Sequence, residues 1–188
     1  MTKKNLLYLP IDINIETLAF TRDESLQKMP THTFQPGWWD SVILNHESVI
    51  KNNLKAVIDQ LPFKKITMAM HKFQTAPVAE HFDVYPQMKI SQEELYEIQN
   101  NEPCGYRLVI KVRNDVLEIW NGKEWLNPVL PESPCCYLIN TTALKHRVKD
   151  DPGREIIYFR GILDKDKHLA LIKKSLSKYK KQAVYKAK

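Results

Sequence analysis

Two histidines and an aspartate are spaced so that they could form a metal site. His81 and Asp83 are separated by one residue, and His146 follows much later in the chain. In a strand, side chains two residues apart lie on the same face, so an imidazole and a carboxylate would converge there. Alone, the His-x-Asp pair is a weak signal, because six histidines and 22 acidic residues produce such pairs by chance. A surface or turn pair is the ordinary alternative.

An arginine completes an ordered set with these residues. Arg154 follows His146 and opens the apolar segment REIIYFRGIL. An arginine that points into a core of aliphatic side chains is costly unless it meets an anion. Two imidazoles and one carboxylate form the facial triad of non-haem Fe(II) oxygenases, and a strand-borne arginine can bind a dicarboxylate through two hydrogen bonds. The alternatives are a polar His146 at a strand edge and an outward-pointing Arg154.

Four stretches of the sequence resemble the Fe(II)/2-oxoglutarate-dependent oxygenases, and within them the aspartyl/asparaginyl β-hydroxylase-like branch. They are APVAEHFD, GYRLVIKV, CCYLINTTALKHRV and GREIIYFRG. The resemblance covers about residues 65–162. It implies that His81, Asp83 and His146 are the ligands of Fe(II).

The same resemblance assigns two arginines to the cosubstrate, 2-oxoglutarate. Arg154 would bind the distal carboxylate, and Arg107 in YRLVIKV matches a strand arginine that also helps to hold the cosubstrate. The interval from His146 to Arg154 is shorter than is common in the family. Arg160, on the same predicted strand face, is therefore the alternative to Arg154.

The activity implied by the resemblance is a hydroxylation. 2-Oxoglutarate and O2 would be consumed, succinate and CO2 released, and a C–H of an amino acid or peptidyl side chain hydroxylated. Two other readings stay open. A cupin-like metal-binding protein or isomerase would use the same ligands without 2-oxoglutarate. A binding module would engage nucleic acid through a lysine-rich tail.

Short strands must position these residues. Residues 65–73 are a strand candidate, and five more follow from residue 104 onward, separated by turn signals such as Asn121-Gly122. They are GYRLVIKV, DVLEIW, CCYLIN, HRV and REIIYFRGIL. This spacing predicts a mainly β fold with flanking helices, namely a double-stranded β-helix (jelly roll, cupin-like) over about residues 64–162.

Helices are predicted on either side of this β core. Residues 47–61 carry apolar side chains at helical spacing and stop at Pro62, so they predict a helix that packs on the outer sheet. Residues 91–100 read as a second, short helix. The first forty residues read as irregular, with a Trp-Trp pair that anchors them.

The positive charge is concentrated at the C-terminal end of the chain. The net charge is +6, but residues 165–188 contain nine lysines and one acidic residue, so the remainder is slightly acidic. We therefore predict one domain over residues 1–164 and a basic helix or tail over residues 165–188. Nucleic acid could bind only through that tail.

Composition also excludes several classes of protein. No apolar run is long enough to cross a membrane as a helix. Three cysteines, two of them adjacent, do not make a disulfide framework. These features predict a cytoplasmic protein without a membrane partner.

Overall fold

The computed structural model describes the chain in residues 5–15, 18, 20–28, 39–81, 105–111, 116–132, 134–140, 145–149 and 153–188. This described part is mainly β with flanking helices, as the sequence predicts. The helix predicted over residues 91–100 lies outside the described residues. None of the described helices has the length and apolar character needed to cross a membrane.

Eleven strands in the described residues form two antiparallel sheets. The large sheet has the order β11-β1-β8-β5-β10-β3-β2, and the small sheet has the order β4-β9-β6-β7. The strands are β1 (Leu6–Ile11), β2 (Trp39–Ile43), β3 (Phe63–Gln74), β4 (Val78–His81), β5 (Gly105–Val109), β6 (Leu117–Trp120), β7 (Trp125–Leu126), β8 (Cys135–Ile139), β9 (Lys145–Val148), β10 (Glu155–Leu163) and β11 (Val184–Tyr185). The strand predictions at 65–73 and from residue 104 onward are confirmed.

In strand β9 of the small sheet, buried side chains alternate with partly exposed ones. His146 and Val148 are buried, while Lys145 and Arg147 are partly exposed. On the outer face, Arg147 pairs with Glu118 of β6 at 2.6 Å. Because successive side chains of a strand point to opposite faces, one face of β9 packs on the core and the other carries ion pairs.

Two apolar layers hold the sheets and helices together. Leu117 and Val148 of the small sheet pack with Tyr137 and Ile156 of the large sheet in one buried cluster, so the sheets face each other. A second cluster covers the outer face of the large sheet. The helices contribute to this outer layer, as the sequence predicts for residues 47–61.

The helix predicted over residues 47–61 is interrupted. Two helices form instead, α1 (His46–Lys51) and α2 (Lys55–Ile58). Asn53 has a φ of 52°, in the left-handed region, and the backbone N–H of Leu54 donates to the carbonyl of Val49 at 2.9 Å. This is a Schellman ending, which terminates a helix at a left-handed residue. A single continuous helix was therefore the wrong prediction.

The reading of the first forty residues as irregular was wrong for residues 6–11 and for the start of β2, while the described residues between them form no helix or strand. Strand β1 is buried along its whole length and pairs with β8, and β2 begins at Trp39 and pairs with β3. Both strands extend the large sheet.

The C-terminal residues form helix α3 (Lys165–Tyr179) and strand β11. The Asp164 side chain caps α3 by accepting from the backbone N–H of Lys167. Ile172 of α3 is buried in the outer layer, and Val184 of β11 pairs with Tyr8 of β1. Residues 165–188 thus pack onto the large sheet and complete its edge.

Candidate functional site

The two predicted histidine ligands are neighbours across the small sheet. His81 at the end of β4 and His146 on β9 are register partners, and their ring centroids lie 4.3 Å apart. Both are buried, with exposed fractions of 9% and 6%. A register shift between Val78 and His81 lets both of those side chains face inward. The fold thus joins two imidazoles that are far apart in sequence.

The tautomer of His81 suits a metal ligand. Its Nδ1 lies 2.8 Å from the backbone carbonyl oxygen of Ala79. A carbonyl can only accept a hydrogen bond, so Nδ1 carries the proton and the lone pair of the neutral ring is on Nε2. A histidine whose second nitrogen donates to a carbonyl is the usual arrangement in metal sites.

The third predicted ligand, Asp83, lies outside the described residues. Within the described ranges, no three histidine, cysteine or acidic side chains are grouped closely enough to hold a metal ion. The structure therefore brings together two of the three predicted ligands.

Arg154 lies just before β10 and is buried, with 4% of its surface exposed. Its Nη2 donates to the Tyr137 hydroxyl at 3.0 Å, and its guanidinium carbon is 5.5 Å from the centre of the Trp39 ring. No carboxylate of the described residues pairs with it. A buried guanidinium needs an anionic partner, so this side chain is suited to bind one.

Gln74, the last residue of β3, links Arg154 to the end of the strand that carries His146. Its backbone N–H donates to the carbonyl of Arg154 at 3.0 Å. Its side-chain Nε2 donates to the carbonyl of Lys149, just after β9, also at 3.0 Å. The ends of β10 and β9 are thereby joined through one buried amide.

Arg107 lies on the inner face of the large sheet, which is the face that packs against the small sheet and carries Tyr137. It is buried between its two cross-strand partners, Tyr158 of β10 and Tyr137 of β8. Its guanidinium carbon is 5.0 Å from the ring centre of Tyr158 and 5.9 Å from that of Tyr137. Tyr137 thus contacts both predicted arginines, one by its hydroxyl and the other by its ring.

Arg160 differs from Arg154 in its surroundings. It is only partly buried, lies opposite Met68 of β3, and is followed by a register shift at Gly161. The two arginines fall on the same face in the sequence pattern, but Arg154 is buried just before β10 and Arg160 is only partly buried within it.

Two tyrosines in the buried cluster between the sheets were not identified from the sequence as candidate site residues. Tyr8 of β1 and Tyr137 of β8 are buried with ring centroids 5.4 Å apart. Burial raises the pKa of Tyr8 well above its ordinary value, and the nearby charge of Arg154 opposes this rise only in part. No sequence signal marks them, because a tyrosine in a buried strand reads as a core residue.

Other reactive side chains point elsewhere or are inert. Burial raises the pKa of the Cys135 thiol to about 12, so it stays protonated and is a poor nucleophile or ligand. His71 of β3 lies opposite Val42 and Ile157, which belong to the outer layer. It therefore faces away from the His81–His146 pair.

Part of the lysine charge of α3 is used within the fold. Lys174 and Lys178 both reach Asp12, which follows β1, at 3.2 Å and 2.8 Å. These lysines hold the helix against the sheet, and the pKa of the Asp12 carboxyl is lowered by its hydrogen bond to Lys178.

Comparison with known proteins adds no assignment. No known family model matches this sequence, and no curated protein is found as a relative.

Proposed function

We propose that this protein is a non-haem Fe(II)- and 2-oxoglutarate-dependent oxygenase that hydroxylates a C–H of an amino acid or peptidyl side chain. The observation that carries the proposal is the inward-facing pair His81 and His146, together with a buried Arg154 on the facing sheet that lacks a carboxylate partner in the described part of the chain. The histidine pair is suited to bind a metal ion, and Arg154 is suited to bind an anion.

The strand order supports a double-stranded β-helix as the finer description of the fold. From β3 to β10 the chain contributes four strands to each sheet. The order β8-β5-β10-β3 within the large sheet faces the order β4-β9-β6-β7 in the small sheet. Eight antiparallel strands in two facing sheets are the arrangement of a jelly roll. Strands β1, β2 and β11 extend the large sheet at its two edges.

His81, His146 and Asp83 would hold the iron in this proposal. The proton on His81 Nδ1 leaves the ring lone pair on Nε2, which fits the donor that Fe(II) requires. When bound, the iron would supply the O2 chemistry that couples decarboxylation of 2-oxoglutarate to hydroxylation of the substrate. The neutral imidazoles and the carboxylate of Asp83 match the preference of Fe(II) for a 2-His-1-carboxylate site.

Arg154 favours the oxygenase over a cupin-like metal protein that uses no 2-oxoglutarate. Its planar guanidinium presents donors in a fork that matches a carboxylate, and only one described hydrogen bond, to Tyr137, uses that fork. Arg107, on the same face, adds positive charge beside Tyr137. A metal protein that binds no anion would leave this buried guanidinium with only the Tyr137 hydroxyl and the Trp39 ring as described partners.

The test is a sequence of two titrations under anaerobic conditions. Fe(II) is titrated into the parent protein and into His81→Ala, His146→Ala and His46→Ala, where His46 is an exposed control. 2-Oxoglutarate is then titrated into the iron-loaded parent, and succinate release is measured after O2 is admitted with amino acid and peptide libraries.

We expect His81→Ala and His146→Ala to lose iron binding and His46→Ala to keep it. Iron binding that is equal in all four proteins would remove the metal assignment. Iron binding without any 2-oxoglutarate binding would leave the cupin-like metal protein as the better description.

A further inference from the structure

Tyr8 has a hydroxyl that the described part of the fold does not satisfy. The side chain is fully buried, at 0% exposure, and its oxygen has no hydrogen-bond partner among the described residues. Leaving a hydroxyl unpaired in the interior costs stability, so native proteins normally provide a partner. A bound ligand is one such partner.

The neighbours of Tyr8 point to the chemistry of that ligand. Its ring packs on Tyr137 at 5.4 Å with an interplanar angle of 39°, and the Tyr137 hydroxyl already accepts from Arg154 at 3.0 Å. The positive charge of Arg154 is close enough to lower the pKa of Tyr8 against the larger effect of burial. The phenol therefore stays protonated at neutral pH, and its O–H can donate a hydrogen bond to a ligand.

One oxygen-rich anion would satisfy all three side chains. Arg154 has guanidinium donors beyond its one described bond, and the hydroxyl protons of Tyr8 and Tyr137 have no acceptor in the described residues. A carboxylate offers about four lone-pair positions on two oxygens. Charge-assisted hydrogen bonds to such a group are roughly twice as strong as neutral ones.

We propose that the Tyr8 hydroxyl donates a hydrogen bond to the same carboxylate that Arg154 binds. This rests on the proposed function in so far as the carboxylate is the distal one of 2-oxoglutarate. Tyr8 lies on β1, outside the stretch of sequence that resembles the oxygenases, so the binding site would include a strand that the resemblance does not supply. Tyr8 would then be a further cosubstrate-binding residue beside Arg154.

The test compares two buried tyrosines on opposite faces of the large sheet. Tyr8→Phe removes the inner hydroxyl. Tyr106→Phe is the matched control, because Tyr106 is equally buried but its hydroxyl bonds to His168 of α3 at 2.8 Å, on the outer face. Calorimetry measures 2-oxoglutarate binding to each protein loaded anaerobically with Fe(II), and thermal unfolding is recorded without any ligand.

We expect Tyr8→Phe to bind 2-oxoglutarate about tenfold more weakly than the parent, the scale of one hydrogen bond to a charged group. Its unliganded melting temperature should be unchanged or higher, because an unsatisfied hydroxyl is removed. Tyr106→Phe should show the opposite pattern, with a lower melting temperature and parent-like binding. Equal binding by parent and Tyr8→Phe would overturn the role of Tyr8 and leave the oxygenase proposal standing; a buried water would then be the partner of the hydroxyl.

A parent that does not bind 2-oxoglutarate would instead overturn the proposed function. In that case the same proteins are titrated with succinate, citrate and inorganic phosphate. Binding of one of these that Tyr8→Phe weakens would retain the anion site with another ligand. Absence of binding for all of them would overturn the anion site as well.

Discussion

Gln74 and Arg154 are joined by a backbone hydrogen bond of 3.0 Å, from the N–H of Gln74 to the carbonyl of Arg154. The Gln74 side chain extends this link to the carbonyl of Lys149 beyond β9. The arginine of the large sheet and the histidine strand of the small sheet therefore share one buried anchor. Gln74 therefore contributes, with the apolar cluster between the sheets, to the relative placement of the two halves of the candidate site.

Replacing Gln74 should weaken the fold and the site together. Gln74→Leu removes the donor to Lys149 and to the carbonyl of Ala76. We expect the free energy of unfolding to fall by about 1 kcal/mol, the net contribution of a typical hydrogen bond, because both carbonyls are only partly buried. Urea denaturation measures this, with Gln27→Leu at an exposed position as the control. Equal midpoints for the two variants would mean that the amide does not anchor β9.

Arg154 and Arg160 should differ in their effect on cosubstrate binding. Arg154→Ala is expected to weaken 2-oxoglutarate binding by roughly 2–5 kcal/mol, the scale for breaking a buried charge pair. Arg154→Lys keeps the charge but loses the fork, so it should lie between the alanine variant and the parent. Arg160, which is only partly buried, should be replaceable by alanine with little change in affinity. Calorimetry on the iron-loaded proteins checks this, and the reverse ranking would transfer the role to Arg160.

His71 should make the fold less stable in acid. Burial, followed by the nearby charge of Arg22, lowers the pKa of His71 from 6.5 to about 4, and neither ring nitrogen has a hydrogen-bond partner among the described residues. Below pH 6.5 the unfolded chain binds a proton that the folded protein does not, so stability falls as the pH falls from 6.5 to about 4. The loss should reach roughly 3 kcal/mol at the lower end of this window.

The matching experiment is urea denaturation of the parent, His71→Leu and His46→Leu across this pH range. We expect the acid-dependent loss to be smaller in His71→Leu and unchanged in His46→Leu, whose histidine is exposed. Parallel pH curves for all three proteins would show that His71 takes its proton as readily in the folded state as in the unfolded state.

Asn53 should tolerate glycine but not alanine. Its φ of 52° is costly for a residue with a Cβ, though less so for asparagine. We expect Asn53→Ala to destabilise the protein by about 1 kcal/mol and Asn53→Gly to stay near the parent. Thermal unfolding measures both, with Lys51→Ala in the exposed last turn of α1 as the control. A stable Asn53→Ala would mean that α1 and α2 can join into one helix.

Local patterns in the sequence were enough to predict most strands of the fold. Strands β3, β5, β6, β8, β9 and β10 were found because apolar runs there are bounded by turn residues. Strand β1 was missed, since it is buried on both faces and contains Pro10, so it has neither alternation nor a clear boundary. The break at Asn53 was missed because the apolar spacing continues through it and does not report a backbone angle.

The candidate site was predictable only in part, because some of its residues matter only through their neighbours in the folded structure. His81, His146 and Arg154 carry chemistry that stands out in a sequence, and their order suggested that they act together. Tyr8 and Gln74 do not stand out, because their importance comes from what lies beside them in space. Tyr8 meets Tyr137 only when β1 pairs with β8, and no local pattern encodes that pairing.

The order of strands in the large sheet also bears on how the chain folds. β1 lies between β8 and β11, and β10 lies between β5 and β3, so most neighbours are remote in sequence. Closing such long loops costs entropy before any contact is gained, which slows folding to the order of milliseconds to seconds for β-rich domains. We expect helix α3 to form early and the large sheet late. Tyr8 and Arg154 would then come together only once the last pairing of the sheet has formed, so no early folding intermediate should bind the anion.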